Sequence, residues 1–218
     1  SSGLVGSEMC IRDSYIRLKS GNHTGSTVSK TYGTYLSSGS KFTDIMKVDK
    51  IWYSFPVGER NTFWVGPRIE NYYMHGTTPS IYKPVTKQFT LGGNGNAYGA
   101  STNAGAGWVY KFDNGFAVSS NFVSSKTDLL TNQGATSWAN QVGYTNNQWS
   151  ASVIVNSKYN SWHDEYYHST QDAPASDGEN FTAIGVRTWW RPLETGTLIP
   201  SISLGYDTTG YNLSLIHI

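Results

Sequence analysis

The chain has 218 residues, of which 14% are charged and 14% are aromatic, with one cysteine and a formal net charge of +1. A charge so close to zero gives no indication of nucleic-acid binding, and a single cysteine excludes a disulfide framework. No apolar stretch approaches the roughly 20 residues that a membrane helix requires, which excludes a helical membrane protein but leaves a transmembrane barrel open.

The two ends of the chain resemble translated adapter sequence rather than natural protein. Residues 4–14 and 213–218 look like in-frame translations of the two strands of a sequencing-library transposon adapter. Scars of this kind are left out of fold reasoning. We therefore expect residues 1–14 and 213–218 to be artefactual tails and residues 15–212 to form one partial domain without cysteine.

Period-two alternation predicts a succession of β-strands between these tails. The predicted strands cover residues 15–19, 46–56, 62–69, 105–112, 116–123, 137–144, 149–156, 180–191 and 200–206. The clearest pair flanks Asp113-Asn114-Gly115, which predicts a tight hairpin turn. On these two strands, large aromatic residues such as Trp108 and Phe116 share one face, and small or polar residues such as Gly107 and Ser119 share the other.

The predicted connections alternate in length along the chain. Residues 20–45, 70–104, 124–136 and 157–179 form long connections, and residues 57–61, 113–115, 145–148 and 192–199 form short ones. Short turns at one end and long loops at the other are typical of outer-membrane barrels, whereas a sandwich has no reason to keep this alternation. The sequence therefore predicts an all-β fold, a fragment of an antiparallel transmembrane β-barrel with about nine strands.

The large apolar face of such a barrel points toward lipid. The residues expected to point outward are Trp108, Tyr110, Phe112, Phe116, Val118, Phe122, Val142, Val153, Ile202 and Leu204. The alternative is a secreted β-sandwich that binds carbohydrate through exposed Trp and Tyr platforms, and a sandwich would bury this face beneath a second sheet.

Four motifs resemble a known family. They are Phe55-Pro56-Val57-Gly58, Val65-Gly66-Pro67-Arg68-Ile69, Gly185-Val186-Arg187-Thr188-Trp189-Trp190-Arg191-Pro192 and Pro200-Ser201-Ile202-Ser203-Leu204-Gly205-Tyr206-Asp207. In this order they resemble cyanobacterial outer-membrane porins, which are known as iron-uptake porins and are similar to the carbohydrate-selective porins.

The resemblance implies a sixteen-strand-type barrel in the cell outer membrane that lets small hydrophilic solutes or inorganic ions, or sugars, diffuse passively. Its partners would be outer-membrane lipid and these small solutes, with a homotrimer as an option for the full-length protein. It also implies a signal peptide, a wall-binding domain and closing strands, all expected outside the present sequence.

Basic residues occupy the alternate strand positions that lie on the face opposite the lipid face. The predicted pore-lining residues are Arg17, Lys19, Lys50, Arg68, Lys111 and Arg187. No acid is expected mid-strand on this wall, and rings of Arg or Lys favour anions, so the sequence predicts an anion preference. The alternative is that these residues are solvated spacers or are neutralised by acids on strands outside the sequence.

The longest connection, residues 70–104, is the candidate for a loop that folds inward and narrows the pore. The candidate constriction residues are Tyr72, Tyr73, Tyr82, Lys83 and Lys87. The alternative is an ordinary surface loop.

Other chemistry is sparse. His163, Asp164, Glu165 and His168 have the side chains of a metal site, but their spacing in a polar stretch favours a solvated loop. The glycine-rich residues 92–96 lack the strand-to-helix context of a phosphate-binding loop. We therefore expect no catalytic residues, no bound metal, no cofactor and no enzymatic activity.

Overall fold

The computed structural model describes residues 13–21, 45–78, 97, 102–124, 136–159, 180–194, 200–208 and 214–217. Ten strands form one sheet: β1 Asp13–Lys19, β2 Lys47–Val57, β3 Asn61–Glu70, β4 Thr102–Lys111, β5 Phe116–Ser124, β6 Thr136–Thr145, β7 Trp149–Tyr159, β8 Phe181–Trp190, β9 Ile202–Thr208 and β10 Ser214–His217. A short 3₁₀ helix, Asn71–Met74, follows β3. Each strand pairs antiparallel with its neighbour in sequence, and β1 and β10 stand at the two edges. The predicted all-β fold is confirmed.

All nine predicted strands are present, with small differences at their ends. The tenth strand, β10, lies within residues 213–218, and β1 begins at Asp13, inside the other expected tail. Strand pairing depends on the residues present and not on their origin, so the adapter interpretation of the two ends stays a prediction.

The predicted alternation of connections gives the sheet two different ends. Gly58, with a φ of 68°, lies in the turn after β2, and Gly115, with a φ of 91°, lies in the turn after β4. Both backbone conformations favour glycine. Residues 146–148 join β6 to β7, and Asn146 Oδ1 accepts hydrogen bonds from the backbone N–H groups of Gln148 and Trp149. We call this the turn end of the sheet, and the opposite end the loop end.

The two sides of the sheet differ in chemistry. One side, the aromatic face, carries a row of directly paired residues that runs from β4 to β9: Tyr110, Val118, Val142, Val153, Val186 and Tyr206. The three central valines, Val142, Val153 and Val186, are 56%, 48% and 44% exposed. We call Val118, Val142, Val153 and Val186 the valine row. The other side, the polar face, is buried at most positions between β4 and β9.

The ten residues expected to point outward all lie on the aromatic face. Phe112, Phe116, Val142, Val153, Ile202 and Leu204 are exposed, and Trp108, Tyr110, Val118 and Phe122 are half-buried. All strands of the described part of the chain belong to one sheet, so none of these side chains lies beneath a second sheet there.

Two β-bulges interrupt the alternation near β2. The register between β1 and β2 shifts after Arg17, where Asp49 is the extra residue of β2. The register of β3 shifts between Gly66 and Ile69. A bulge adds one residue to one strand and reverses the side on which later side chains lie.

The second bulge puts Arg68 on the aromatic face. The prediction that Arg68 lines the pore is therefore wrong. Arg68 lies directly opposite Ile51, on the aromatic face, and its Nε donates a hydrogen bond to the Asp49 carbonyl oxygen at 2.7 Å. Pro67 lies within the bulge, and proline in a strand is confined to such irregular positions or to edges.

Among the described residues, no helix is long and apolar enough to cross a membrane.

Candidate functional site

Polar side chains are buried on the polar face. They are Lys50, Ser119, Asn121, Ser137, Gln141, Ser150, Ser152, Asn156, Lys158, Arg187 and Asp207. The same face also buries apolar residues such as Val109, Val123 and Ile154, so its buried side is mixed, whereas the buried face of a water-soluble sheet is mainly apolar. The described beginning of the long connection between β3 and β4, residues 71–77, lies directly against this face.

Side-chain amides attach this connection to the sheet. Asn71 Nδ2 donates to Asn121 Oδ1 at 2.8 Å on β5 and to the Ser137 carbonyl oxygen at 3.2 Å on β6. Gln141 holds both backbone groups of Thr77: its Oε1 accepts from the Thr77 N–H at 3.0 Å, and its Nε2 donates to the Thr77 carbonyl at 3.2 Å. Because buried polar groups need partners, the network fixes residues 71–77 over β5 and β6.

Glycines on alternate strands make room for the connection. A Cβ placed at Gly107 on β4 would lie 2.7 Å from Met74 Sδ, and one at Gly143 on β6 would lie 2.6 Å from Thr77 Cγ2. A Cβ at Gly185 on β8 would lie 2.9 Å from Ala97 Cβ. These three glycines mark where the connection crosses the polar face, first over β4 and β6 and then at β8.

We expect Gly143→Val to displace Thr77 and to destabilise this packing by about 1–3 kcal/mol, because the added side chain overfills a closely packed contact. Hydrogen exchange at the Thr77 amide, which Gln141 protects, measures the displacement. Ala106→Val on the aromatic face is the matched control and should leave this exchange rate unchanged. Equal protection of Thr77 in the Gly143 variant would contradict the packing described.

Two of the five candidate constriction residues, Tyr72 and Tyr73, lie in the 3₁₀ helix against the polar face. The Tyr73 ring lies 4.5 Å from the Trp52 ring, and its hydroxyl accepts a hydrogen bond from Arg17 Nη1 at 3.2 Å. Burial raises the pKa of Tyr73 to about 12, and burial together with the charge of Glu70 raises the pKa of Tyr72 well above its ordinary value. Both phenols are therefore uncharged near neutral pH. Tyr82, Lys83 and Lys87 lie outside the described residues.

One acidic residue accompanies two of the predicted basic ones at the β1–β2 edge. Asp49 forms ion pairs with Arg17 and with Lys19, the latter at 3.0 Å between Lys19 Nζ and Asp49 Oδ1. The bulge after Arg17 inserts Asp49 into β2 and brings its carboxylate within reach of both cations. The charges of Arg17 and Lys19 are thus partly compensated within the sheet.

Two further pairs are deeply buried. Lys50 Nζ contacts the Glu70 carboxylate and lies 5.5 Å from the centre of the Tyr73 ring, and it donates to Thr102 Oγ1 at 3.2 Å. Arg187 contacts Asp207 across β8 and β9, where both side chains are at most 1% exposed. The wall therefore carries acids, but they lie at or near strand ends: Asp49 is the third residue of β2, Glu70 ends β3 and Asp207 is next to last in β9. Buried charges require partners, and Asp49, Glu70 and Asp207 supply them.

Lys111 differs from the other candidates. It lies opposite Ala117 on the polar face, at the turn end of β4, and is exposed. It forms no ion pair with any residue that the structure describes. Of the six predicted pore-lining residues, the structure thus puts Arg17, Lys19, Lys50, Lys111 and Arg187 on the polar face and Arg68 on the other.

Sequence reasoning missed the amide network and the acidic partners. Asn121 and Gln141 were recognised only as members of the small, polar parity, and no local signal shows that they hold Asn71 and Thr77. Pro67 within a strand is the signal that could have revealed the bulge and the reversal at Arg68.

Comparisons of the chain with family models, with curated proteins and with solved structures gave no match. In the described part of the chain, no cluster of three or more His, Cys, Asp or Glu side chains could hold a metal ion. His163, Asp164, Glu165 and His168 lie outside the described residues.

Proposed function

We propose that this sheet is part of the wall of an outer-membrane β-barrel, a porin that lets small hydrophilic solutes or inorganic ions diffuse passively. One observation carries the proposal: Val142, Val153 and Val186 of the valine row are exposed, while residues 71–77 of the chain's own connection lie against the opposite polar face over β5 and β6. A contiguous exposed apolar surface marks a contact with lipid or another protein, and a polar face is what a water-filled lumen requires.

Polar atoms on the aromatic face support a lipid environment. The indole N–H of Trp138 donates to Ser120 Oγ at 3.0 Å, and that of Trp108 donates to Asn61 Oδ1 at 2.8 Å. Both bonds stay within the sheet. In hydrocarbon such internal pairing is needed, because no water is present to replace it.

The sandwich alternative requires a second sheet over the aromatic face, which the described strands do not supply. No observation on the described strands favours a carbohydrate-binding sandwich, and we do not put it forward as a second proposal. Cyanobacterial origin, outer-membrane location and a homotrimer remain parts of the porin proposal, as the sequence resemblance implies.

Vesicle flotation of the full-length barrel tests the proposal. The full-length protein, refolded with phospholipid vesicles, should float with them and stay bound in high salt and at alkaline pH, because its aromatic face is buried in hydrocarbon. A full-length protein that remains monomeric and soluble without detergent or lipid would refute the membrane proposal. The corresponding test of the pore is solute flux through vesicles that contain the full-length barrel.

The described ion pairs change which basic residues can support the predicted anion preference. Basic residues still outnumber acids on the polar face of the described strands, but Lys50 and Arg187 each contact a carboxylate. Lys111 is exposed and lies apart from these pairs. We therefore propose that Lys111 contributes most among the predicted residues to any preference for anions.

We expect Lys111→Gln in the full-length barrel to reduce anion preference, measured as the reversal potential under a KCl gradient. The effect should weaken in concentrated salt, where the Debye length falls to about 3 Å at 1 M. Arg68→Gln is the matched control and should leave the reversal potential unchanged, since Arg68 lies on the aromatic face. A cation-selective pore, or equal effects of both substitutions, would contradict this assignment.

A further inference from the structure

A groove of about 490 Å³ lies on the aromatic face between β5 and β8. At the turn end it is bounded by the rings of Phe116, Tyr144 and Trp149, and toward mid-strand by Val142, Val153 and Val186. The accessible surface that lines it is almost wholly apolar. The groove therefore suits an apolar occupant and offers little to a hydrated solute.

The shape of the groove follows from one small residue among large ones. Ala151 on β7 lies directly opposite Tyr144 on β6 and is flanked along its own strand by Trp149 and Val153. The Tyr144 ring packs 4.7 Å from the Trp149 ring and 5.1 Å from the Phe116 ring, measured between centroids. These contacts fix one wall, so the depression over Ala151 is built by packed side chains and runs along the strands.

A basic residue, Arg191, lies at the turn end of the sheet, the end at which Trp149 bounds the groove. Arg191 directly follows β8, its backbone N–H donates to the Gln148 carbonyl at 2.8 Å, and its Nε donates to the Asn147 carbonyl. These bonds hold Arg191 next to the turn that leads into Trp149. The guanidinium forms no ion pair with any described residue. A cation at one end of an apolar groove complements a molecule with an anionic head and a hydrocarbon tail.

We propose that this groove binds one phospholipid, with an acyl chain over Ala151 and its phosphate near Arg191. The inference rests on the proposed function, because only a sheet in a bilayer presents this groove to lipid. Barrels of this kind have their short turns on the periplasmic side, so the lipid would come from the leaflet at the turn end. Trp149 and Trp190, directly paired at the strand ends, lie at the level where indole rings favour the headgroup region.

Retention of lipid by variants of the chain tests the proposal. The full-length barrel is inserted into dioleoylphosphatidylglycerol vesicles and transferred to mild detergent, and bound lipid is counted by mass spectrometry of the intact protein. Ala151→Phe fills the groove and should lower the apparent affinity about tenfold. Ala106→Phe makes the same change on the same face of β4, away from the groove, and should retain lipid like the parent chain.

The charged end has its own pair of variants. Arg191→Gln removes the charge-assisted contact and should lower the affinity for phosphatidylglycerol about tenfold, while Arg191→Lys should restore much of it. Lipid retention that is equal in the parent and in Ala151→Phe would overturn the proposal. The proposal would also be overturned if the parent chain formed dimers without bound lipid and Ala151→Phe dissociated those dimers. The groove would then be a contact between two copies of the chain.

The two proposals fail differently. If the full-length barrel does not float with vesicles, the membrane function fails and the lipid site with it. If the full-length barrel floats but retains no phospholipid in detergent, the lipid site alone is refuted.

Discussion

Arginine in place of Val153 should destabilise the protein in a bilayer by about 2–4 kcal/mol, the cost of a cation near the midplane of a barrel wall. Val153 lies in the middle of β7, paired with Val142 and Val186, and is 48% exposed. In a water-soluble sheet the same substitution at an exposed position would change stability by about 0.5 kcal/mol or less. Val118, in the same valine row, should respond in the same direction. Unfolding by urea in phospholipid vesicles measures the difference.

Val57→Arg is the matched control for this experiment. Val57 ends β2 at the turn end and is 49% exposed, so it differs from Val153 in its height along the strand and hardly in its accessibility. Near the interface an arginine costs only about 0–1 kcal/mol. A negligible effect at Val153, or an equal effect at both sites, would show that no depth-dependent apolar medium surrounds this face.

The strand pattern was predictable because each strand separates two different environments. Along β5, Phe116 and Val118 alternate with Ala117 and Ser119, and the structure puts the first pair on the aromatic face and the second on the polar face. The same alternation predicted all nine strands from β1 to β9. Local residue order is sufficient here because successive side chains of a strand point to opposite sides.

The chemistry of the polar face was less predictable because it depends on contacts between distant residues. Parity alone placed Arg68 on the wrong side, since one extra residue in β3 reverses the alternation. It also gave no indication that Asp207 would compensate Arg187 or that Gln141 would bind Thr77. These contacts follow from strand register and from the path of the connection, which only the assembled sheet specifies.

The long connection between β3 and β4 was predicted to fold inward, and its described part does lie on the polar face. In a closed barrel that face would line the lumen, so Met74, Thr77 and Ala97 would occupy space that solutes need. We expect deletion of residues 76–98 from the full-length barrel to raise single-channel conductance by a factor of about two or more, because the open cross-section increases. Planar-bilayer recording of single channels measures this directly.

Two point variants separate obstruction by this connection from general loosening of the wall. Gln141→Leu removes both hydrogen bonds to Thr77 while leaving the connection in place. The single-channel current should therefore fluctuate, and its mean should rise less than it does in the deletion variant. Asn140→Leu changes the neighbouring residue on the aromatic face and should leave the conductance as it is. If the deletion leaves conductance unchanged, the connection lies outside the solute path. If Asn140→Leu disturbs the current as much as Gln141→Leu, the amide network does not hold the connection in the lumen.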